Sequence, residues 1–411
     1  MKRVVVTGMG AIASLGHDAR SFFEALLEGR SGVRKLQPPW APAEYNQITA
    51  PVLLDLSHHF TKLRLISLDR VAQLSLLAAR EAASHAGIDF TAEDGESAGI
   101  YWSTGMGGAN TIENAYVDLL VNKVARLKPS TIVMVMNNAA TGQIGIEFGI
   151  RGPSYTFSSA CSSSTVAIGE AYRAIRFGLV KSAVVGGAEA LLTHGVIKAW
   201  ESLQTLAKVD PERPETSCRP FAADRSGFVL GEGAAALILE EEQQARQRGA
   251  NILAEIVGYG NTTDASHIAQ PDKGGQARAM KLAIVEAQVA PQQIEHINAH
   301  GTGTKVGDLS ETNAIKEVFG EYARHVPISA TKALHGHLMG ATGALEIIAA
   351  IETLRSRVLP PTAHLARPDP ECDLDYVSEG ARSLSKLDMV MSNSFGFGGN
   401  NAVIIAKRYL A

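Results

Sequence analysis

The feature that most constrains this chain is an end-to-end alternation between short valine- and isoleucine-rich runs and longer alanine-rich stretches. Val4–Val6, Ala183–Val185, Ala235–Leu239, Ile294–Asn298 and Met389–Met391 are short and largely apolar, as strands buried on both faces are. Leu68–Ala86 and Ala344–Arg355 instead carry apolar residues at helical spacing. Such alternation specifies an α/β protein with helices packed on a mainly buried sheet. A faint internal echo adds to it. Ser162–Phe177 and Gly336–Arg355 are both small-residue helix starts that run into apolar helices, and each is followed by a strand ending in a glycine pair, Gly186–Gly187 and Gly398–Gly399. The echo suggests two similar halves, 1–250 and 251–411, packed tightly as one unit.

Composition narrows the function classes. The 411 residues suffice for two to three ordinary domains or one large doubled one, and 45% hydrophobic with 19% charged residues excludes a disordered chain. The 38 basic and 42 acidic residues nearly balance, which argues against a broad nucleic-acid surface but leaves room for a local basic patch that docks an acidic partner. No window offers ~18 consecutive apolar residues, so no membrane span is expected. The start, MKRVVVTGMGAIASLG, reads as a first buried strand and not as a signal peptide. Three widely spaced cysteines, Cys161, Cys218 and Cys372, form neither a disulfide framework nor a zinc pattern. The expectation is a soluble, reduced, cytoplasmic protein.

Five segments could carry chemistry. Gly8-Met9-Gly10-Ala11-Ile12-Ala13 matches the dinucleotide-binding fingerprint. The acidic residue such a site needs ~20 residues on has no counterpart, so a tight strand-to-loop turn is the better reading. Cys161 stands in Phe157-Ser-Ser-Ala-Cys-Ser-Ser-Ser164, between an extended segment and an apolar helix. The free amides and dipole of a helix start favour a thiolate there, although a buried structural cysteine is the default for this residue type.

Asn298-Ala-His-Gly-Thr-Gly-Thr304, with Asp308 beyond it, and Ser329-Ala-Thr-Lys-Ala-Leu-His-Gly-His337 each run from a strand into a glycine-rich turn. Histidine and lysine at strand ends are where α/β proteins place reactive groups. Cysteine with histidine permits thioester chemistry, since imidazole can activate a thiol or protonate a leaving group. A metal pair of histidines competes but lacks further ligands at close spacing. Asn393-Ser-Phe-Gly-Phe-Gly-Gly-Asn-Asn401 offers glycines whose amides could face an oxyanion, or form a plain turn.

Taken in this order, the motifs resemble the β-ketoacyl-acyl-carrier-protein synthases, condensing enzymes of the thiolase superfamily, and most of all the bacterial synthase II type. Arg151-Gly-Pro-Ser154, Asp224-Arg-Ser-Gly-Phe-Val-Leu-Gly-Glu-Gly233 and Pro360-Pro-Thr362 extend the resemblance over the whole chain. It implies a thiolase-like five-layered α-β-α-β-α fold of two pseudo-duplicated halves, the first carrying the nucleophile and the second the two histidines. It assigns Cys161 to accept an acyl chain, and His300 and His337 to promote decarboxylation of malonyl-acyl-carrier protein and stabilise the enolate. Lys332 matches the buried active-site lysine, with Glu346 and Asp308 in support, and the amides of Cys161 and Phe397 match the oxyanion hole. Thr302 and Thr304 match residues that hold the phosphopantetheine arm. Met106, Trp200, Phe395 and Phe397 fall where an acyl pocket is walled. No metal and no cofactor beyond the carrier's arm is implied, and the partners are acyl-carrier protein and a second subunit, as a homodimer or alternatively a heterodimer.

The sequence departs from the pattern in places. Phe-Ser-Ser-Ala before Cys161 and three serines after it look more like polyketide synthases. Leu63, Ser67 and Gln204 stand where the family favours basic carrier-docking residues, with Lys62, Arg64, Arg70 and Lys208 as available substitutes. A specialised polyketide or aryl-polyene ketosynthase is therefore the main alternative. A non-catalytic partner subunit fits less well because the nucleophile is intact. A degradative thiolase lacks its second cysteine here, where Phe395 and Phe397 stand.

Overall fold

The computed structural model describes residues 1–36, 47–91 and 95–410. Its main sheet is built from β1 (Val4–Ile12), β2 (Ala98–Ser103), β3 (Ser154–Phe157), β4 (Ser182–Glu189), β5 (Gly233–Glu241), β6 (Ala254–Thr263), β7 (His296–Asn298), β8 (Ile328–Ser329), β9 (Met389–Gly396) and β10 (Asn400–Lys407). The helices that matter for the site are α1 (Arg70–Ala86), α2 (Ala109–Leu120), α3 (Ser163–Arg176), α4 (Lys273–Ala287), α5 (Lys305–Phe319) and α6 (Thr342–Ser356). No helix among the described residues is long and apolar enough to cross a membrane.

The spatial order of the ten strands is β8-β7-β9-β10-β6-β1-β5-β4-β2-β3. Split between β6 and β1, the sheet shows the same wiring twice. In the first half β2 lies parallel to β3 and β4, then β4–β5 and β5–β1 are antiparallel. In the second, β7 lies parallel to β8 and β9, then β9–β10 and β10–β6 are antiparallel. The halves join where Val4–Val6 pair antiparallel with Ala254–Ile256. The echo seen in the sequence is thus a repeat of topology.

Helices complete five layers. α1 covers β1 and β5 on one outside, α4 covers β6 and β10 on the other with α5 packed beside it, and α3 and α6 pack together between the halves. Each interface has its own apolar cluster. The central one includes Ile168, Ile175, Leu345, Ile348 and Ile351, while Leu74, Ala78 and Trp102 fill the α1 side and Met280, Ile315 and Ile405 the α4 side. Being between two sheet faces explains why α6 is buried along most of its length and has no polar stripe.

The N-termini of α3 and α6 abut. Ser164 Oγ accepts from the Ala344 amide at 2.9 Å, and Thr165 Oγ1 bonds Ser394 Oγ at 2.7 Å. Gly343 is required at this crossing, because a Cβ there would lie 2.0 Å from Thr165 Oγ1. The residues just upstream of the two helices, Cys161 and His337, are therefore brought to one place.

One expectation is corrected. Gly8-Met9-Gly10 is no strand-to-loop turn: β1 runs straight through it, buried at every position, with a register shift between Val6 and Gly8. The glycines serve close approach. A Cβ on Gly8 would lie 2.1 Å from the Ala82 carbonyl and one on Gly10 2.2 Å from that of Ala78, both on α1. Gly10→Ala should force β1 and α1 apart and lower stability by about 1–3 kcal/mol, the usual cost of overpacking a core. A thermal melt of the variant that matches the wild type would overturn this account of the motif.

Candidate active site

Cys161 sits in the turn between β3 and α3. Helix α3 begins at Ser163, and Ala160 just before the cysteine has a left-handed φ of 52°. The turn is tied by Ser163 Oγ, which accepts from the Ser159 amide at 2.8 Å and donates to the Ala160 carbonyl at 2.6 Å. The serine run is thus explained by turn closure. Cys161 lines a cavity of about 560 Å³ together with His300, His337, Thr302, Thr304, Phe395 and Phe397.

His300 follows β7. Its amide and that of Gly301 donate to the two oxygens of Glu311 on α5, at 2.8 and 2.9 Å, and Asn393 Nδ2 donates to the same carboxylate at 3.1 Å. His337 precedes α6, with its amide donating to the Val229 carbonyl at 2.7 Å and its Nδ1 paired with Thr342 Oγ1 at 2.9 Å. That pairing leaves His337 Nε2 buried without a partner, and His300 Nδ1 is likewise buried without one. The imidazoles stand edge to face, 5.5 Å between centroids, and a ring nitrogen of each lies with Cys161 Sγ within 4.8 Å of one another.

Lys332, fully buried, donates to the His300 carbonyl and to Glu346 Oε1 at 2.7 Å. Burial pushes the Glu346 carboxyl up to about 7 against the pull of Lys332. Both active-site histidines are held well below the ordinary imidazole range, by burial first and then by the Lys332 charge. They are neutral at pH 7. The cysteine departs from the expected thiolate: burial pushes the Cys161 thiol up to about 11, and Lys332 with the amides of Phe397 and Cys161 itself offsets only part of that. A helix start two residues further on does not outweigh removal from water.

The remaining predicted residues divide between two cavities. Thr302 and Thr304 share a hydrogen bond of 3.0 Å at the side of the first. Asp308 accepts from the Gly303 amide at 3.1 Å and the Phe221 amide at 2.7 Å, lies 3.6 Å from Arg225, and is pushed by burial to about 7. It braces the turn that carries the threonines. Phe395 meets His300 edge-on at 6.0 Å. Met106 is half exposed and lines a separate apolar cleft of about 720 Å³ with Tyr116, Leu120 and Trp200. The Trp200 ring stacks on Phe397, centroids 6.0 Å apart, and meets Phe228 edge-on at 5.5 Å, so these aromatics form the partition between the two cavities.

Two of the basic substitutes for carrier docking are already committed. Arg64 pairs with Glu147 at 2.9 Å, and Arg70 is bound to Glu232 at 2.7 Å and to the Val52 carbonyl. Lys62 and Lys208 are exposed, and Lys208 stands at the cavity mouth.

Sequence reasoning missed three positioning groups. Thr342 orients His337. Glu311 lies one helical turn from Asp308, a spacing that could have flagged it as a second brace of the His300 turn. Glu189, buried at the end of β4, accepts from Thr104 Oγ1, the Gly105 and Met106 amides and the Gly340 amide, at 2.7–3.3 Å. It ties the Met106 loop to the turn after His337, and nothing local in the sequence signals that.

A doubled α-β-α-β-α fold with a cysteine and two histidines at its centre defines the thiolase-fold condensing class. Residues 1–245 match the family described as beta-ketoacyl synthase, N-terminal domain, and residues 253–366 its C-terminal domain; the chain belongs to the beta-ketoacyl synthase family. It is 40% identical to the 3-oxoacyl-[acyl-carrier-protein] synthase 2 of Staphylococcus aureus (strain COL) over 100% of this chain and 99% of that one. It is also 40% identical to nodulation protein E of Rhizobium meliloti (strain 1021), over 99% of each chain. Among solved structures, the ishigamide ketosynthase/chain length factor superposes with a TM-score of 0.92 at 32% identity, covering 100% of both chains.

The electrostatics set an expected pH profile. Below about 11 the Cys161 thiolate fraction grows with pH, so its alkylation by iodoacetamide should be slow at pH 7 and still rising beyond pH 9. Cys218, fully buried and pushed to about 12, should lag behind. Peptide mass spectrometry after timed labelling reads both. A plateau below pH 8.5 would show that the amides and Lys332 overcome burial, and equal labelling of Cys218 would remove the preference.

Proposed function

We propose that this protein joins an acyl chain to a malonyl unit by decarboxylative Claisen condensation, with both substrates presented on the phosphopantetheine arm of an acyl-carrier protein. The observation that carries the reading is the convergence of Cys161 Sγ, two neutral imidazoles and the amides of Cys161 and Phe397 in one cavity. In the first half-reaction Sγ attacks the acyl thioester, its proton passes to the departing pantetheine sulfur, and the tetrahedral oxyanion lies against the two amides. In the second, the bond between the malonyl carboxylate and Cα breaks and CO2 leaves. The enolate oxygen accepts hydrogen bonds from His300 and His337. Cα then attacks the acyl carbonyl, the C–S bond to Cys161 breaks, and the sulfur takes up a proton from water. Loss of CO2 drives the step, so neither ATP nor a redox cofactor enters the balance.

Other residues support this course. Lys332, held by Glu346, reinforces burial in keeping the imidazoles neutral and fixes the His300 backbone. Thr302 and Thr304 bind the arm, with Asp308 as brace; Phe395 and Phe397 wall the acyl pocket at Cys161, and Met106 and Trp200 wall its continuation in the neighbouring cleft, across the aromatic partition. The segment 1–250 supplies the nucleophile and 251–411 the histidines. We place the protein in the cytoplasm and pair it with a second copy of itself. The support is an apolar face that includes Tyr116, Leu120, Val121, Ile132, Val133 and Tyr155, beside the open edge of β3. A chain-length-factor partner on that face, in polyketide assembly, is the second reading, favoured by the likeness to the ishigamide pair.

Half-reactions test the assignment. His300→Ala and His337→Ala should each still form acyl-Cys161 but lose malonyl decarboxylation by ~10²–10³ per donor removed. CO2 release at the wild-type rate in either variant would take that histidine out of the mechanism. Chain length tests the wall: Met106→Ala should admit longer acyl groups, each extra buried methylene being worth ~0.8 kcal/mol, and Met106→Phe should shorten them. Acyl loading measured with a series of carrier thioesters reads the change, and an identical length profile in all three proteins would sink the Met106 assignment.

A further inference from the structure

We propose that Cys161, His300 and His337 also form a binding site for Zn²⁺, which shuts the enzyme by occupying its nucleophile. Metal binding follows from the three side chains alone; the inhibition rests on the acyl-transfer reading.

The geometry is close to what the ion needs. Sγ and one nitrogen of each imidazole lie within 4.8 Å of one another. Zinc bonds of about 2.3 Å to sulfur and about 2.0–2.1 Å to nitrogen place tetrahedral ligands about 3.3–3.7 Å apart. The widest pair must close by up to about 1.5 Å, shared among three side chains that all stand on turns. One nitrogen is ready for a ligand. His337 Nε2 is buried without a partner while Nδ1 rests on Thr342 Oγ1, the kind of outer bond that orients a metal-bound imidazole. Three protein ligands leave a fourth position open to the cavity for water.

Charge and protonation agree with this. Binding exchanges one proton: the thiol and Zn²⁺ give a zinc-bound thiolate and H⁺. Lys332 opposes a cation, but it is matched by Glu346 at 2.7 Å, and the buried carboxylates of Glu189 and Glu311 stand close behind Cys161 and His300. A sulfur–nitrogen donor set without a carboxylate selects Zn²⁺, and Co²⁺ as its probe, over Mg²⁺ or Ca²⁺.

The test uses the full chain in a phosphine reductant. Added Zn²⁺ should slow iodoacetamide labelling of Cys161 in proportion to occupancy, about tenfold once free Zn²⁺ reaches about ten times its Kd. EDTA should reverse the protection, and millimolar Mg²⁺ should give none. Co²⁺ should produce a thiolate charge-transfer band in the near ultraviolet that Cys161→Ala abolishes and His337→Ala weakens, with circular dichroism confirming that both variants are folded. Unchanged labelling in Zn²⁺, or Co²⁺ bound by Cys161→Ala as by wild type, would overturn the site. Protection by Zn²⁺ in a protein that never forms acyl-Cys161 would instead overturn the reaction and keep the metal site.

Discussion

The buried ion pair of Lys332 and Glu346 is the interaction on which the site depends. Neither side chain touches solvent, and Nζ lies 2.7 Å from Oε1. Such a pair contributes little net stability, because desolvation offsets most of the attraction, yet removing one partner alone costs about 3–5 kcal/mol by stranding the other charge. Its value lies in what the ammonium does next. Nζ also holds the His300 carbonyl, so a charge fixed by α6 sets the backbone of a turn from β7. That same charge depresses His300, His337 and His335 and pulls the Cys161 thiol downward. Burial sets the direction of these titrations; the buried cation adds to it for the imidazoles and opposes it for the thiol.

The doubled topology explains how such a pair comes to stand near Cys161. Each half ends a strand, turns, and starts a helix at the centre of the molecule, and the two helix starts touch through Ser164, Thr165, Gly343 and Ala344. Cys161 and His337 are thereby equivalent in placement though not in chemistry. A single sheet-and-helix unit could not surround a substrate thioester in this way. Two units sharing a helical middle layer bring their turns together around one cavity.

Much of this was legible in the sequence, since the strands were short apolar runs and the reactive residues stood in glycine-rich turns at their ends. What escaped was tertiary. Gly8 and Gly10 read as a turn because a G-x-G pattern is ambiguous until α1 is laid against it. The Cys161 thiolate was inferred from a local helix start, whereas burial by residues from the rest of the chain decides the charge. Glu189 joins the Met106 loop to Gly340 across long sequence separations, which no local pattern encodes. Arg64 and Arg70 looked free as letters and are spent on Glu147 and Glu232 in space.

The neutral state of the histidines carries the last step of the argument. In the proposed condensation the malonyl group arrives already bearing a carboxylate and leaves as an enolate. Protonated imidazoles would bind the arriving carboxylate strongly and lower the ground state along with the transition state. Only stabilisation that grows during the reaction speeds it. Neutral imidazole N–H groups act weakly on a carbonyl and strongly on an enolate oxygen. Nε2–H of His337 can donate when Nδ1 accepts from the Thr342 hydroxyl, a pairing the structure provides at 2.9 Å. Burial does most to keep both donors uncharged, Lys332 reinforces it from out of contact with substrate, and Glu346 holds the lysine in place.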